Sequence, residues 1–465
     1  MMAKKKTSVM AMLVLAALAT GGCATVGDAP QVMREAMPTA WGERGSSGSN
    51  EQALTRDWWR SFDSIELAEL ITAAQDANPD MVIAAERVLQ AEAQARIAGA
   101  SLFPALNLSA GTGRRETRPD GGNWSSADSS SVGLSASYEL DLWGRVAAGV
   151  SAAEASLRAS RFDRETVRLT LITGVANGYF QLLSLRGRLA IARENLVIAE
   201  RVFKLVDARV RNGAASKLDL ARQQAAVLSL RASIFPLELQ ERQTLYALAI
   251  LIGRVPQGYA VAGNTVVALA VPTVSPGLPA DLLTRRPDLA SAEAQLAAAN
   301  ANVGAARAAL LPGVSLTGSA GLASNVLINF LRGPIATLAL GASLLQPVFD
   351  GGRLRSQGDI ATSRERELVE VYRKAVLAAL ADVEGALAAG GRTTEQEILQ
   401  AQVVTQAQTA LRLAEIRYRE GVDDLLTVLD AQRTLFQAQD QLAQIRLSRL
   451  QASVTLFKAL GGGWR

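Results

Sequence analysis

Two periodicities alternate along this chain. Leu106, Leu108 and Ala110 take turns with Asn107 and Ser109. Further on, Val132, Leu134, Ala136, Tyr138, Leu140 and Leu142 take turns with Gly133, Ser135, Ser137, Glu139 and Asp141. Val314 and Leu316 likewise alternate with Ser315 and Thr317, and Ala336, Leu338, Leu340, Ala342 and Leu344 stand apart from Thr337, Gly341 and Ser343. A period of two sends alternate side chains to opposite faces of a strand. It predicts four strands, at about 104–112, 132–142, 313–320 and 336–346, the first two joined by a polar Gly/Ser-rich loop. Segments of this kind suit a membrane barrel, apolar toward lipid and polar toward a wet lumen. A soluble half-buried sheet alternates identically, so the strands alone leave both readings open.

Between the strand pairs the pattern turns helical. Arg145–Arg211 and Arg353–Arg419 contain no proline, and each predicts one continuous helix. At 1.5 Å per residue such a helix is roughly 100 Å long, far beyond ordinary globular helices. A heptad stripe of Leu189, Leu196, Phe203 and Val210, with Ala192, Ala199 and Val206, marks the far end of the first. Val404, Leu411 and Tyr418, with Ala407 and Ala414, do the same in the second. Such stripes pack helices at shallow angles, and the alanines allow close approach. Shorter helices start at Pro79 and Pro287, early positions where proline costs nothing, and run to about Phe103 and Leu311 before Pro104 and Pro312. Turns at Asn212–Ser216 and Glu420–Asp424 lead into returning helices, proline-free from Lys217 to Phe235 and from Leu425 to about Leu460.

All of this occurs twice. Pro79 returns as Pro287, Pro104 as Pro312, Gly144-Arg145 as Gly352-Arg353, Arg209-x-Arg211-x-Gly213 as Arg417-x-Arg419-x-Gly421, Leu218 as Leu426, and Gly253 as Gly461, always 208 positions on. Matching the Pro and Gly punctuation means matching backbone geometry. The chain divides into repeat 1 over 58–252, a Gly/Pro/Val-rich linker over 253–279, repeat 2 over 280–462 and a tail at 463–465.

Composition narrows the function. Apolar residues make up 49% of the 465 and aromatics 5%, which favours helices packed through small residues. Charges are interleaved, 48 basic against 44 acidic, with no basic block to hold nucleic acid. Histidine is absent, which removes the commonest general base and metal ligand. A single cysteine, Cys23, excludes an intrachain disulfide and a Cys-type zinc site. Nucleophile-elbow, P-loop and dinucleotide motifs are missing. A carboxylate-only hydrolase survives in principle, without a standout acid pair; the expectation is no enzyme, no metal and no cofactor.

Lys4, Lys5 and Lys6 precede an apolar run from Val9 to Ala19, then Thr20-Gly21-Gly22-Cys23. This is the layout of an export signal over 1–22, and the run is too short for a spanning helix. A cysteine directly after two glycines resembles a bacterial lipoprotein cleavage site, although Thr20 stands where that pattern has leucine. The resemblance implies a covalent lipid on Cys23, followed by an extended anchor segment over 23–57 rich in Gly, Ser and Pro toward Asn50.

Four strands cannot close a barrel. In lipid, two open sheet edges would each leave backbone groups unsatisfied at several kcal/mol apiece, so several chains must contribute strands.

At Tyr138-Glu-Leu-Asp-Leu-Trp-Gly-Arg145, Gln346-Pro-Val-Phe-Asp-Gly-Gly-Arg353 and Arg417-Tyr-Arg-Glu-Gly-Val-Asp423 the sequence resembles the TolC family. More narrowly it is similar to the NodT/OprM-like outer-membrane lipoproteins of resistance-nodulation-division (RND) efflux systems, from about Trp58 to Gly462. The resemblance implies a mainly α fold with transmembrane β: a homotrimer whose outer-membrane β-barrel, twelve strands at four per chain, continues into a long α-helical periplasmic barrel. It implies a passive exit duct in the outer membrane, served by an inner-membrane RND pump and a periplasmic adaptor. Gly213, Ser216, Leu218 and Asp219, with Gly421, Val422 and Asp423, are the implied adaptor-binding tips. Leu426 and Asp430, four apart and on one helix face, are the implied constriction, held by Tyr418 and Arg419. Ordinary turn geometry, capping and helix packing would use the same residues. A TolC-like exit channel for type I protein secretion shares the fold; a periplasmic coiled-coil adaptor or scaffold lipoprotein would lack the strand pairs.

Overall fold

A computed structural model describes residues 37–43, 55–324 and 333–464 of the chain. The export signal, Cys23 and most of the segment over 23–57 lie outside the described residues. In order, the elements are a 3-10 turn at Trp58–Phe62, α1 (Ile65–Ala77), α2 (Pro79–Ala100), β1 (Ala105–Thr117), β2 (Ser125–Leu140), α3 (Arg145–Arg211) and α4 (Lys217–Leu251). After a single helical turn at Leu282–Arg285 come α5 (Pro287–Ala308), β3 (Gly313–Ser324), β4 (Ile335–Leu345), α6 (Arg353–Arg419) and α7 (Leu425–Ala459). Helices α3 and α6 have 67 residues each, and α4 and α7 have 35 each. No described helix is long and apolar enough to cross a membrane.

Among the described residues, one compact unit holds 90–158, 293–324 and 333–371. Its centre is an antiparallel sheet in the order β1-β2-β3-β4. Register keeps each residue class on one face: Leu108 pairs with Leu134, Leu134 with Ala320, and Ala320 with Leu338. The neighbouring row is Ser109, Gly133, Gly321 and Thr337. A slip of one residue would turn every leucine to the polar side, so the alternation itself sets the pairing. Among the described residues no strand pairs with the outer edge of β1 or of β4.

The first hairpin runs further than the hydrophobic alternation. Residues 113–117 and 125–131, read from the sequence as loop, continue the ladder through pairs such as Thr112–Ser130 and Arg114–Asp128. Backbone pairing needs no apolar side chain, and here hydroxyls at 3.1 Å and a 3.9 Å ion pair flank the ladder instead. At the strand-to-helix corner, Asp141 accepts the Val146 and Ala147 amides, and Asp350 accepts those of Gly352 and Leu354. Carboxylates thus satisfy the first amides of both long helices, where the helix dipole also favours negative charge.

The other unit holds residues 37–43, 55–89, 159–292 and 372–464 among those described. Its core stacks Trp58 on Phe457 at 4.7 Å and sets Phe62 against Phe180 at 5.0 Å, within a shell including Leu67, Ile71, Leu183, Leu248 and Leu450. The linker over 253–279 is part of this core, because Val261, Val266, Leu269 and Val274 are buried in it. Of the segment set aside as a tail, Trp464 is docked: its indole donates to the Arg285 carbonyl at 2.6 Å. From the N-terminal segment, Gly42 and Glu43 donate their amides to the Glu384 carboxylate. Sequence periodicity missed α1, whose N-cap Ser64 accepts from the Leu67 amide.

Helix α4 passes through Pro236, where the sequence reading had stopped at Phe235. Pro236 lies on the exposed face, so the carbonyl deprived of its donor can turn to water.

The repeat is most exacting where α4 and α7 end. Gly253 and Gly461 each close their helix with a positive φ, and a Cβ there would sit 2.3 Å from the Ala77 carbonyl oxygen and 1.9 Å from that of Arg285. Ala77 and Arg285 are themselves 208 apart, so both copies press the same two backbones together. Gly461→Ala should therefore cost more than the roughly 1–3 kcal/mol of its left-handed conformation, because the contact must also open. Gly258→Ala, also at positive φ but with nothing within 4 Å, should cost only the conformational part. Thermal melts of the two purified variants check the ordering.

Candidate functional site at the helix turns

The turns joining α3 to α4 and α6 to α7 close with one geometry. The Gly213 amide donates to the Val210 carbonyl and that of Ala214 to Arg209; Gly421 donates to Tyr418 and Val422 to Arg417. These are paired 5→2 and 6→1 bonds around a left-handed residue, with φ of 69° at Gly213 and 76° at Gly421. Glycine adopts that conformation freely, and each bond satisfies a carbonyl the helix end would leave open.

The helices leaving the turns are capped differently. Ser216 and Asp219 form a reciprocal capping box on α4: the Asp219 amide donates to Ser216 Oγ at 3.0 Å, and the Ser216 amide and hydroxyl donate to Asp219 Oδ2. Those bonds hold the Asp219 carboxyl below the usual carboxylate range, Ser216's hydroxyl contributing most. On α7, Asp424 alone accepts the Thr427 amide and hydroxyl. Leu218 and Val422 stand out at the turns, 57% and 62% exposed.

Equivalent arginines in the two copies do different work. Arg417 forks onto Asp423 at 2.7 and 2.9 Å, which raises the Arg417 pKa and lowers that of Asp423. Arg209 instead crosses to the other copy: its guanidinium lies 4.7 Å above the Tyr418 ring and donates to the Tyr418 carbonyl. A cation–π contact of this kind is worth about 0.5–2 kcal/mol, depending on desolvation. Tyr418 is buried in a cluster with Val202, Val206, Leu411, Leu425 and Val428, and burial pushes its phenol pKa up. Arg209 therefore ties one turn to the other.

Of the residues singled out from the sequence, Tyr418 is buried, while Arg419 is exposed and has no ion pair among the described residues. Leu426 is half exposed and Asp430 is exposed, its carboxylate held by Arg433 at 2.6 Å. Sequence reasoning missed Arg209, Arg417 and Arg433 as the working cations. The doubled Arg-x-Arg-x-Gly motif marked the first two positions but could not say which arginine turns inward.

Four buried polar atoms on the helices beside this cluster lack hydrogen-bond partners among the described residues: Gln223 Oε1, Glu415 Oε1, Tyr418 Oη and Gln432 Nε2. Each such atom costs about 1–3 kcal/mol. Among the described residues no cluster of His, Cys, Asp and Glu could hold a metal ion.

The Asp219 cap yields a pH dependence. Because the folded-state pKa is depressed, its stabilisation is full above the unfolded value near 4 and is lost as pH falls through the lower folded value. Protection of the Ser216 amide from hydrogen exchange should fall over that window. Asp219→Asn should flatten the pH response, and the cap should be worth about 1 kcal/mol.

Comparison with known proteins fits this double layout. The family model described as outer membrane efflux protein matches residues 70–254 and again 278–462, so the two matches are themselves 208 apart. A pyoverdine export outer membrane protein of Pseudomonas aeruginosa, OpmQ, is 44% identical over 97% of this chain and 96% of its own length. The crystal structure of a membrane protein from Pseudomonas aeruginosa superposes with a TM-score of 0.85 at 34% identity, covering 93% of this chain and 99% of that one. The open-state outer membrane channel MtrE of Neisseria gonorrhoeae gives a TM-score of 0.83 at 31% identity over 92% and 96%. With both repeats matched and relatives aligned nearly end to end, this chain belongs to the outer membrane efflux protein family, whose members are passive channels of the outer membrane and not enzymes.

Proposed function

We propose that three copies of this efflux channel close one barrel and one helical tunnel, forming the exit duct of a tripartite pump. The observation that carries the proposal is the pair of open edges. β1 and β4 bound a sheet of four strands, and hydrocarbon offers neither edge a hydrogen-bond partner. Three chains supply twelve strands, more than the roughly eight of the smallest membrane barrels. An inner-membrane RND pump and a periplasmic adaptor would supply cargo and energy. The turns carrying Gly213, Ser216, Leu218, Asp219, Gly421, Val422 and Asp423 are the proposed adaptor contacts, and exposed Leu218 and Val422 support this.

In this reading Leu426 and Asp430 narrow the duct just inside the turns, and the Arg209–Tyr418 tie holds them there. Because a relative named for pyoverdine export stands at 44% identity, pyoverdine is the first cargo to test, ahead of a secreted polypeptide. Cys23 after Gly21-Gly22 supports a lipid anchor.

Native mass measurement of protein purified from outer membranes should give a trimer, and planar bilayers should show conductance. A monomer without channels would defeat the proposal. The subunit mass also tests the anchor, which predicts a chain starting at Cys23 and carrying acyl groups. Arg209→Ala should raise single-channel conductance several-fold at unchanged trimer mass, whereas unchanged conductance would remove the tie from the gate.

A further inference from the structure

Between α4 and α7, beside the turn cluster, lies a groove of about 710 Å³. That is the size of pockets that hold drug-sized molecules. Leu230, Leu429 and Phe436 line it with apolar surface. Arg222, Asp430 and Arg433 give it two positive charges and one negative.

These charges are not equally free. Asp430 is engaged by Arg433 at 2.6 Å. Arg222 has no ion pair among the described residues; its field reaches Asp219, whose carboxylate is already bonded to Ser216. An unpaired guanidinium beside an apolar surface calls for one chemistry: an anionic acceptor on a flat apolar body.

We propose that this groove binds an amphipathic organic anion, such as an aromatic carboxylate, and that occupancy braces α4 against α7 so that the duct stays narrow. The second half rests on the reading of Leu426 and Asp430 as the constriction, since both also line the groove. The carboxylate would meet Arg222, and the ring would lie against Leu230, Leu429 and Phe436. A cation of the same shape would find two arginines and no free carboxylate.

The test uses the full-length protein in lipid nanodiscs, titrated calorimetrically with 2-naphthoate and with 2-naphthylmethylammonium, with empty nanodiscs subtracted. Saturable binding of the anion at one per chain is expected, with at least tenfold weaker binding of the cation. Arg222→Gln, at an exposed position, should weaken anion binding tenfold or more without moving the melting temperature. Leu230→Trp, which fills the groove, should abolish it. In planar bilayers 2-naphthoate should lower the conductance of the unmodified channel and leave that of Arg222→Gln untouched. Equal binding of anion and cation, or binding indifferent to Arg222→Gln, overturns the site. Binding that meets every expectation but leaves conductance unchanged overturns the bracing while the site stands; the constriction reading falls separately, if Arg209→Ala leaves conductance unchanged.

Discussion

Backbone amides and carbonyls must be paired, and hydrocarbon supplies no water to pair them. Each strand in the interior of this sheet meets that demand through its neighbours, in a register that sets Leu108, Leu134, Ala320 and Leu338 in one row. β1 and β4 meet it on one side only. The two edge strands are therefore left incomplete in their hydrogen bonding, a demand that the proposed assembly of three copies would meet. Beyond the alternating band the same ladder continues on serines, threonines and an arginine–aspartate pair, because pairing does not depend on which side chains flank it.

The duplication is strict in the long helices and their turns and loose in the side chains those turns carry. The long helices α3 and α6 and the returning helices α4 and α7 agree in length to the residue, the turns at Gly213 and Gly421 share one hydrogen-bond pattern, and Gly253 and Gly461 allow the same backbone contact. Side chains on that frame diverge. Arg209 reaches across to Tyr418 while its counterpart Arg417 stays with Asp423. A capping box at Ser216 is answered by a lone aspartate cap at Asp424, and Arg222 stands where the second copy has Asp430. One frame used twice thus presents two chemically distinct turns.

Packing within the second unit is uneven. Around Trp58, Phe62, Phe180 and Phe457 large rings interlock and the linker adds four buried apolar side chains. The cluster at the turns is smaller, built of Val, Leu, Ala and one tyrosine, and flanked by polar atoms without partners. Segments with little buried apolar area and unsatisfied polar groups open at low cost.

How far the sequence could be read depended on the range of the interaction. Proline, glycine and period-two alternation act within a few residues, so the long helices, their turns and the strand faces were legible from the chain alone. The far reaches of the hairpin were not, since a polar ladder and a polar loop look alike without the partner strand. The linker also hid its role, because Val261 and Val274 read as linker until the rings they cover are placed beside them. At the site, the doubled motif named Gly213, Gly421, Tyr418 and the arginines on either side. Which arginine ties Tyr418 is a contact between the two turns, decided by where side chains meet in space, whereas Asp430 and Arg433 pair locally, three apart on α7. The sequence by itself determined a twice-used backbone, because backbone geometry is local. Only the tertiary structure decided which side chains are buried and which contact crosses from one copy to the other, because those neighbours are far apart in the chain.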